Sequence, residues 1–286
     1  MYFIRLAIPI ITIVPLVISL FAYISRRKKS HLIGMLFIHI LGCVQYCVIH
    51  VVPWDFIEIQ YTNGIVPDFV NHLVVLTDNF LYLTALLLAA ERVILMTFPI
   101  RYRIWRISRK FAIFCIVCNF AMHTFILSVC VIVPLVGWNT LFVPWSFMLF
   151  METVANGVFV MEIVLLIVFF IQFKRYTKRK VAFMSMEQTR QTNHITLFQL
   201  LSLTIFCVIP KLTVYIRLCF ERSQDGKPEE IDPVSALLNG YNDVLFSLHV
   251  LLTCTFIAYK LCGKETLKKV FCRKKINPIS EIRSSM

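Results

Sequence analysis

The residues able to do chemistry in this chain are ionisable groups stranded in apolar sequence: Asp78, Glu91, Arg92, Glu152, Glu162, Lys211 and Asp243. Such groups are costly in a hydrophobic run, and those that persist face a protein interior, pair with one another, or mark a path for a ligand or ion. Asp78 precedes Arg92 by fourteen residues, which at 3.6 residues per turn puts both near one helix face. Lys211 follows Pro210, and because side chains tilt toward a helix's N-terminus, an interior role suits it better than snorkelling. Asn239, Asn242, Asp243, Phe246, His249 and Thr253 recur at steps of three and four, a polar stripe along one helix. Glu152 is placed to join them from across a bundle. Two readings stay open. Lys211 with Asp78 or Asp243 forms a charge pair in a cavity for a small molecule, or these groups, with Glu152 and His249, satisfy each other as packing contacts.

Hydrolytic or metal chemistry has no such support. The seven histidines (31, 39, 50, 72, 123, 194, 249) show no H-E-x-x-H or H-x-x-x-H spacing, and no nucleophile stands with a base. We expect no enzyme, no cofactor and no metal. The ten cysteines fall in apolar segments or the C-terminal tail, without a disulfide framework.

The elements that must position these residues follow from composition. Of 286 residues, 58% are hydrophobic and 16% charged, with a mean hydropathy of +0.76, too little polar surface for a soluble domain. Seven stretches are long enough to cross about 30 Å of hydrocarbon: 3–25, 31–53, 68–92, 111–137, 145–173, 194–219 and 234–259. Only helices or closed barrels satisfy their backbones in lipid, and runs this long exclude barrel strands. The expected fold is an all-α integral membrane bundle of seven transmembrane helices over residues 1–259, followed by a basic tail, 260–286.

Orientation follows from the basic residues, because positively charged loops stay on the cytoplasmic side. The first loop carries Arg26, Arg27, Lys28 and Lys29; the third and fifth are also Lys/Arg-rich; the second and fourth carry none. The N-terminus is therefore expected outside and the C-terminus inside. The net charge of +13 is thus about topology and anionic lipid, with no call for nucleic acid. The first span reads as an uncleaved anchor, since it ends in "RRKK" without a small-residue cleavage site.

Glu91-Arg92 closes the third span, Pro99 follows the arginine by seven residues, and Tyr102 comes next. This conjunction resembles the (D/E)-R-Y-x-x-x-x-x-P-x-x-Y signature of rhodopsin-like G-protein-coupled receptors. Physically, an arginine at the mouth of a bundle needs a partner when buried, and the adjacent carboxylate is one. The resemblance implies that Glu91 restrains Arg92 at rest, and that a freed Arg92, with Pro99, Tyr102 and Tyr259, engages a heterotrimeric G protein. Cys207 and Pro210 in "FCVIPKL" match the family's sixth-helix hinge, with Val208 replacing its tryptophan. The seventh-helix N-P-x-x-Y motif is reduced to "TFIAY", in which Tyr259 survives. Other departures are the absence of a cysteine in the outer loops and of an acid in the second span. Arg190 stands where the family often has an acid that also holds the third-helix arginine, so Glu91 is expected to be the main brake.

The segments "ERVILMTFPIRYR", "NHITLFQL" and "NDVLFSLHVLL" resemble nematode serpentine chemoreceptors, most of all serpentine receptor class BC. That resemblance implies sensory perception of a small-molecule ligand, bound in the outer half of the bundle, at the plasma membrane of a sensory-neuron cilium. In the tail, Tyr259 to Lys275 reads as a basic amphipathic helix on membrane lipid, and Cys262 and Cys272 stand where cysteines are either S-palmitoylated or free. The competing reading is a transporter or channel that uses the intramembrane charges. The ligand, the Gα partner and any oligomerisation are beyond the sequence.

Overall fold

The computed structural model describes residues 2–26, 34–52, 65–128, 142–178, 186–213 and 233–271. All regular structure among them is helical. We number the helices α1 (Tyr2–Arg26), α2 (Gly34–Val51), α3 (Ile65–Thr97), α4 (Pro99–Trp105), α5 (Ile107–Leu127), α6 (Phe142–Lys178), α7 (Met186–Leu203, extended by a π-helical turn at Thr204–Val208 and on to Thr213) and α8 (Pro233–Phe271). Among the described residues, six helical segments are long and apolar enough to cross a bilayer, in α1, α2, α3, α5, α7 and α8. The chain is an all-α, multi-pass membrane protein. The fifth expected span, 145–173, falls within the 37-residue α6.

Several boundaries differ from expectation. α3 continues five residues beyond Arg92 to Thr97, so the Glu91-Arg92 pair lies inside the helix and not at its end. Phe98 and Tyr102 carry the helical hydrogen bonding on, through Phe98 N–H to the Ile94 carbonyl (2.8 Å) and Tyr102 N–H to the Phe98 carbonyl (2.9 Å). Between them Pro99 has no N–H to donate, and it opens α4 as a separate short helix. Arg106, with φ 48° and ψ 45°, turns the chain left-handedly into α5. At the far end, α8 runs unbroken from the last span through the first half of the tail to Phe271.

The outward surface is inverted relative to a soluble protein. Ile10, Val14, Val17 and Phe21 on α1, and Phe114, Val117 and Phe120 on α5, are exposed, as lipid-facing side chains are. Hydroxyls in these helices bond back to the preceding turn: Thr12 Oγ1 donates to the Ile8 carbonyl (2.7 Å) and Ser19 Oγ to the Pro15 carbonyl (2.8 Å). Pro15 is itself inside α1, tolerated because side chains and neighbouring helices can serve the freed backbone groups.

α3 is the hub, packed on α2, α5, α6, α7 and α4, while α8 closes the bundle between α1 and α7. One core unites α1, α2, α3, α7 and α8 around Leu36, Tyr46, Leu81, Leu88, Ile195 and Val250. A second forms where α3, α6 and α7 meet, at Ala89, Met96, Phe169 and Leu200. α2 approaches α3 closely at Gly42, where a Cβ would meet Leu81, Phe80 and Thr84 at 3.4–3.5 Å.

Candidate functional site

The chemistry-bearing residues gather at two levels of the bundle, and α3 contributes to both. Toward its C-terminal end, Glu91 and Arg92 are fully buried. Arg92 Nη2 lies 3.5 Å from Glu91 Oε1, and the same carboxylate oxygen accepts a hydrogen bond from the Tyr102 hydroxyl. Pro99 makes this contact possible by starting α4, which folds Tyr102 back under α3. Burial, and then the Glu91 charge beside it, push the Tyr102 phenol well above its usual range, so it remains a neutral donor. Glu91 Oε2 has no hydrogen-bond partner among the described residues. The carboxylate is held through one oxygen, by a phenol and a guanidinium. On α7, Asn193 and Gln199 are also fully buried, and their amide atoms find no hydrogen-bond partner among the described residues.

The second level lies nine residues earlier on α3 and centres on Tyr82. Its ring stacks on Phe246 of α8 (centroids 4.9 Å apart), Phe246 meets Tyr46 of α2 edge-on (5.3 Å), and Lys211 Nζ of α7 sits over the Tyr82 ring at 4.7 Å. Four helices thus supply an aromatic floor with one ammonium upon it. Asp78 Oδ1 lies 3.2 Å from His50 Nε2, while Asp243 pairs with Arg5 of α1. Both acids therefore have partners other than Lys211. The reason is tertiary: α1 packs along α8 and α2 along α3, which brings Arg5 and His50 to the acids first. Neither Arg5 nor His50 stood out in the sequence, although each is an ionisable residue within an apolar run.

The α8 stripe turns inward as its spacing suggested. Phe246, His249 and Thr253 are buried and Asn242 and Asp243 half-buried. His249 Nδ1 lies 2.9 Å from Ser202 Oγ of α7, and Ser247 Oγ lies 2.7 Å from the Tyr46 hydroxyl, so His249 holds α8 to α7. Cys207 is buried inside the π-helical turn at Thr204–Val208, where Ile209 N–H reaches back five residues to the Thr204 carbonyl. That wide turn stands immediately before Pro210, a junction with weakened helical register.

Other expected site residues stand apart. Pro99 is exposed at the start of α4. Tyr259 is half exposed beside Phe256 and Lys260. Cys262 is buried in the main core. Glu152 lies on α6 and Asn239 on α8 with side chains outside the described residues, as is that of Arg190 on α7; Cys272 lies wholly outside them. No group of three or more His, Cys, Asp or Glu positioned to hold a metal occurs among the described residues. Neither a protein-family model nor a curated protein matches the chain.

Proposed function

We propose that this protein is a chemosensory G-protein-coupled receptor with seven spans, its N-terminus outside and its C-terminus in the cytoplasm. The observation that carries the reading is the fully buried Glu91–Arg92 pair, latched by Tyr102 on the helix that touches most of the bundle. A buried arginine paired with a neighbouring carboxylate is a stored charge: released, it becomes a donor of up to five N–H groups at the cytoplasmic mouth. The heterotrimeric G protein is the partner that uses it.

A small molecule binds over the aromatic floor, where Lys211, Asp78 and Tyr82 from two helices offer charge and stacking. Its contact with Lys211 acts on α7 one residue after Pro210, and the π-helical turn lets the part of α7 beyond it move separately from the part packed on α3. Movement of α7 against α3 loosens the surroundings of Arg92. The expected site of action is the plasma membrane of a sensory cilium.

Arg92→Ala tests the coupling. It should abolish ligand-dependent G-protein activation at near-normal surface expression, and undiminished signalling would remove the assignment. A transporter or channel is the second reading, favoured by Glu162, a buried carboxylate with no hydrogen-bond partner among the described residues. Ion flux through proteoliposomes that persists in Arg92→Ala and is lost in Glu162→Gln would select it.

A further inference from the structure

Most ionisable groups around Tyr82 are already held. Asp78 Oδ1 meets His50 Nε2 at 3.2 Å, and Asp243 pairs with Arg5. Each of these acids has a base, and each base an acid. Lys211 is left over. Its ammonium lies over the Tyr82 ring at 4.7 Å and takes part in none of the ion pairs among the described residues. A ring face attracts a cation but offers no lone pair, so the three N–H donors still call for an acceptor. Glu162 of α6 does not supply one: both its oxygens are buried without a hydrogen-bond partner among the described residues. The level is also open to a ligand. Lys211, Tyr82, Asp78, His50 and Asn242, from four helices, are all half-buried, whereas Glu91 and Arg92 are fully buried.

On the reading of this level as the ligand site, we propose that the ligand is a small organic monocarboxylate with an apolar body, its carboxylate paired with Lys211. One uncommitted ammonium matches one negative charge. A phosphate or a dicarboxylate would bring further charge toward Asp78 and Asp243, with Arg5 and His50 already engaged by those acids. An amine meets the opposite obstacle: Lys211 repels it, and either acid would have to give up its partner first. The apolar body follows from the surroundings. Tyr82 and Tyr46 are joined through the Phe246 ring, and Lys211 itself belongs to the apolar segment Gln191–Thr213, so a carboxylate alone would leave these walls without a partner.

The test reads binding as the rise in melting temperature of the full-length protein in lipid nanodiscs, with benzoate, 2-naphthoate and octanoate as probes. At least one should stabilise the wild type at a half-maximal concentration about tenfold lower than its primary amide, which keeps the shape without the charge. Lys211→Met should abolish that preference and Lys211→Arg should keep it. Asp78→Asn, which takes away a like charge, should not weaken carboxylate binding. Stabilisation by none of the carboxylates, equal stabilisation by the amides, tighter binding of 2-naphthylmethylamine, or a preference that survives Lys211→Met would each overturn the proposal. The amide and amine comparisons need the wild-type protein alone, so they decide should a variant fail to fold. Guanine-nucleotide exchange is measured separately. Lys211-dependent carboxylate binding without any exchange would remove the receptor reading and leave the carboxylate site standing; exchange evoked by the amides or the amine, and not by the carboxylates, would do the opposite.

Discussion

On the receptor reading proposed above, removing one hydroxyl from the Glu91–Arg92 latch, Tyr102→Phe, should produce signalling without ligand. The phenol donates to Glu91 Oε1, which also faces Arg92 Nη2 at 3.5 Å, and Glu91 Oε2 has no hydrogen-bond partner among the described residues. The substitution keeps the ring that fills the site and deletes only the donor. A hydrogen bond to a charged group contributes roughly 1.5–3 kcal/mol, and a factor of ten corresponds to about 1.4 kcal/mol. If the bond exists only in the resting state, the ratio of active to resting protein rises about ten- to a hundredfold. A receptor about 1% active at rest would then stand at roughly 10–50%. Guanine-nucleotide exchange on a purified G protein, without ligand and in nanodiscs, reads this directly. Glu91→Gln should raise basal exchange too, and the double variant should fall short of the sum, because both remove one shared interaction. The raised phenol pKa keeps Tyr102 protonated at physiological pH, so the gap between wild type and Tyr102→Phe should hold from pH 6 to 8, at roughly the one-proton-free slope of zero. Basal exchange equal to wild type, at equal melting temperature, would refute the latch.

At the Tyr82 level, Lys211→Ala should weaken the potency of the proposed ligand by about tenfold, near 1.4 kcal/mol, and Asp78→Asn should do the same only if the ligand displaces His50 from it. Unchanged potency in a calcium assay at normal expression would leave both residues with packing roles. Ser202→Ala strands the buried His249 ring nitrogen and should lower stability by about 1–3 kcal/mol, measurable as a melting shift in detergent without a change in potency. Cys262→Ala should leave incorporation of an alkyne-bearing palmitate unchanged, since Cys262 is packed in the core; lost incorporation would mean that the end of α8 opens.

Membrane character and helix positions were legible in the sequence because a bilayer imposes one length scale and one hydropathy, both written along the chain. α1 and α2 lie close to their expected spans for that reason, and the α8 stripe faces inward because a spacing of three and four fixes a helix face. Ends were less legible. α3 overran Arg92 because an arginine with its own carboxylate and a tyrosine above it can be buried, so charge alone did not stop the helix. Partners on different helices were not legible. Which base meets Asp78 or Asp243 depends on α2 lying along α3 and α1 along α8, and nothing in a run of residues states which helices are neighbours. The same limit hid the bond between Tyr102 and Glu91: eleven residues separate them, and the turn at Pro99 returns the hydroxyl to that carboxylate. The chain's own order determined which groups are buried in the membrane; the packing of helices decided which of them hold one another.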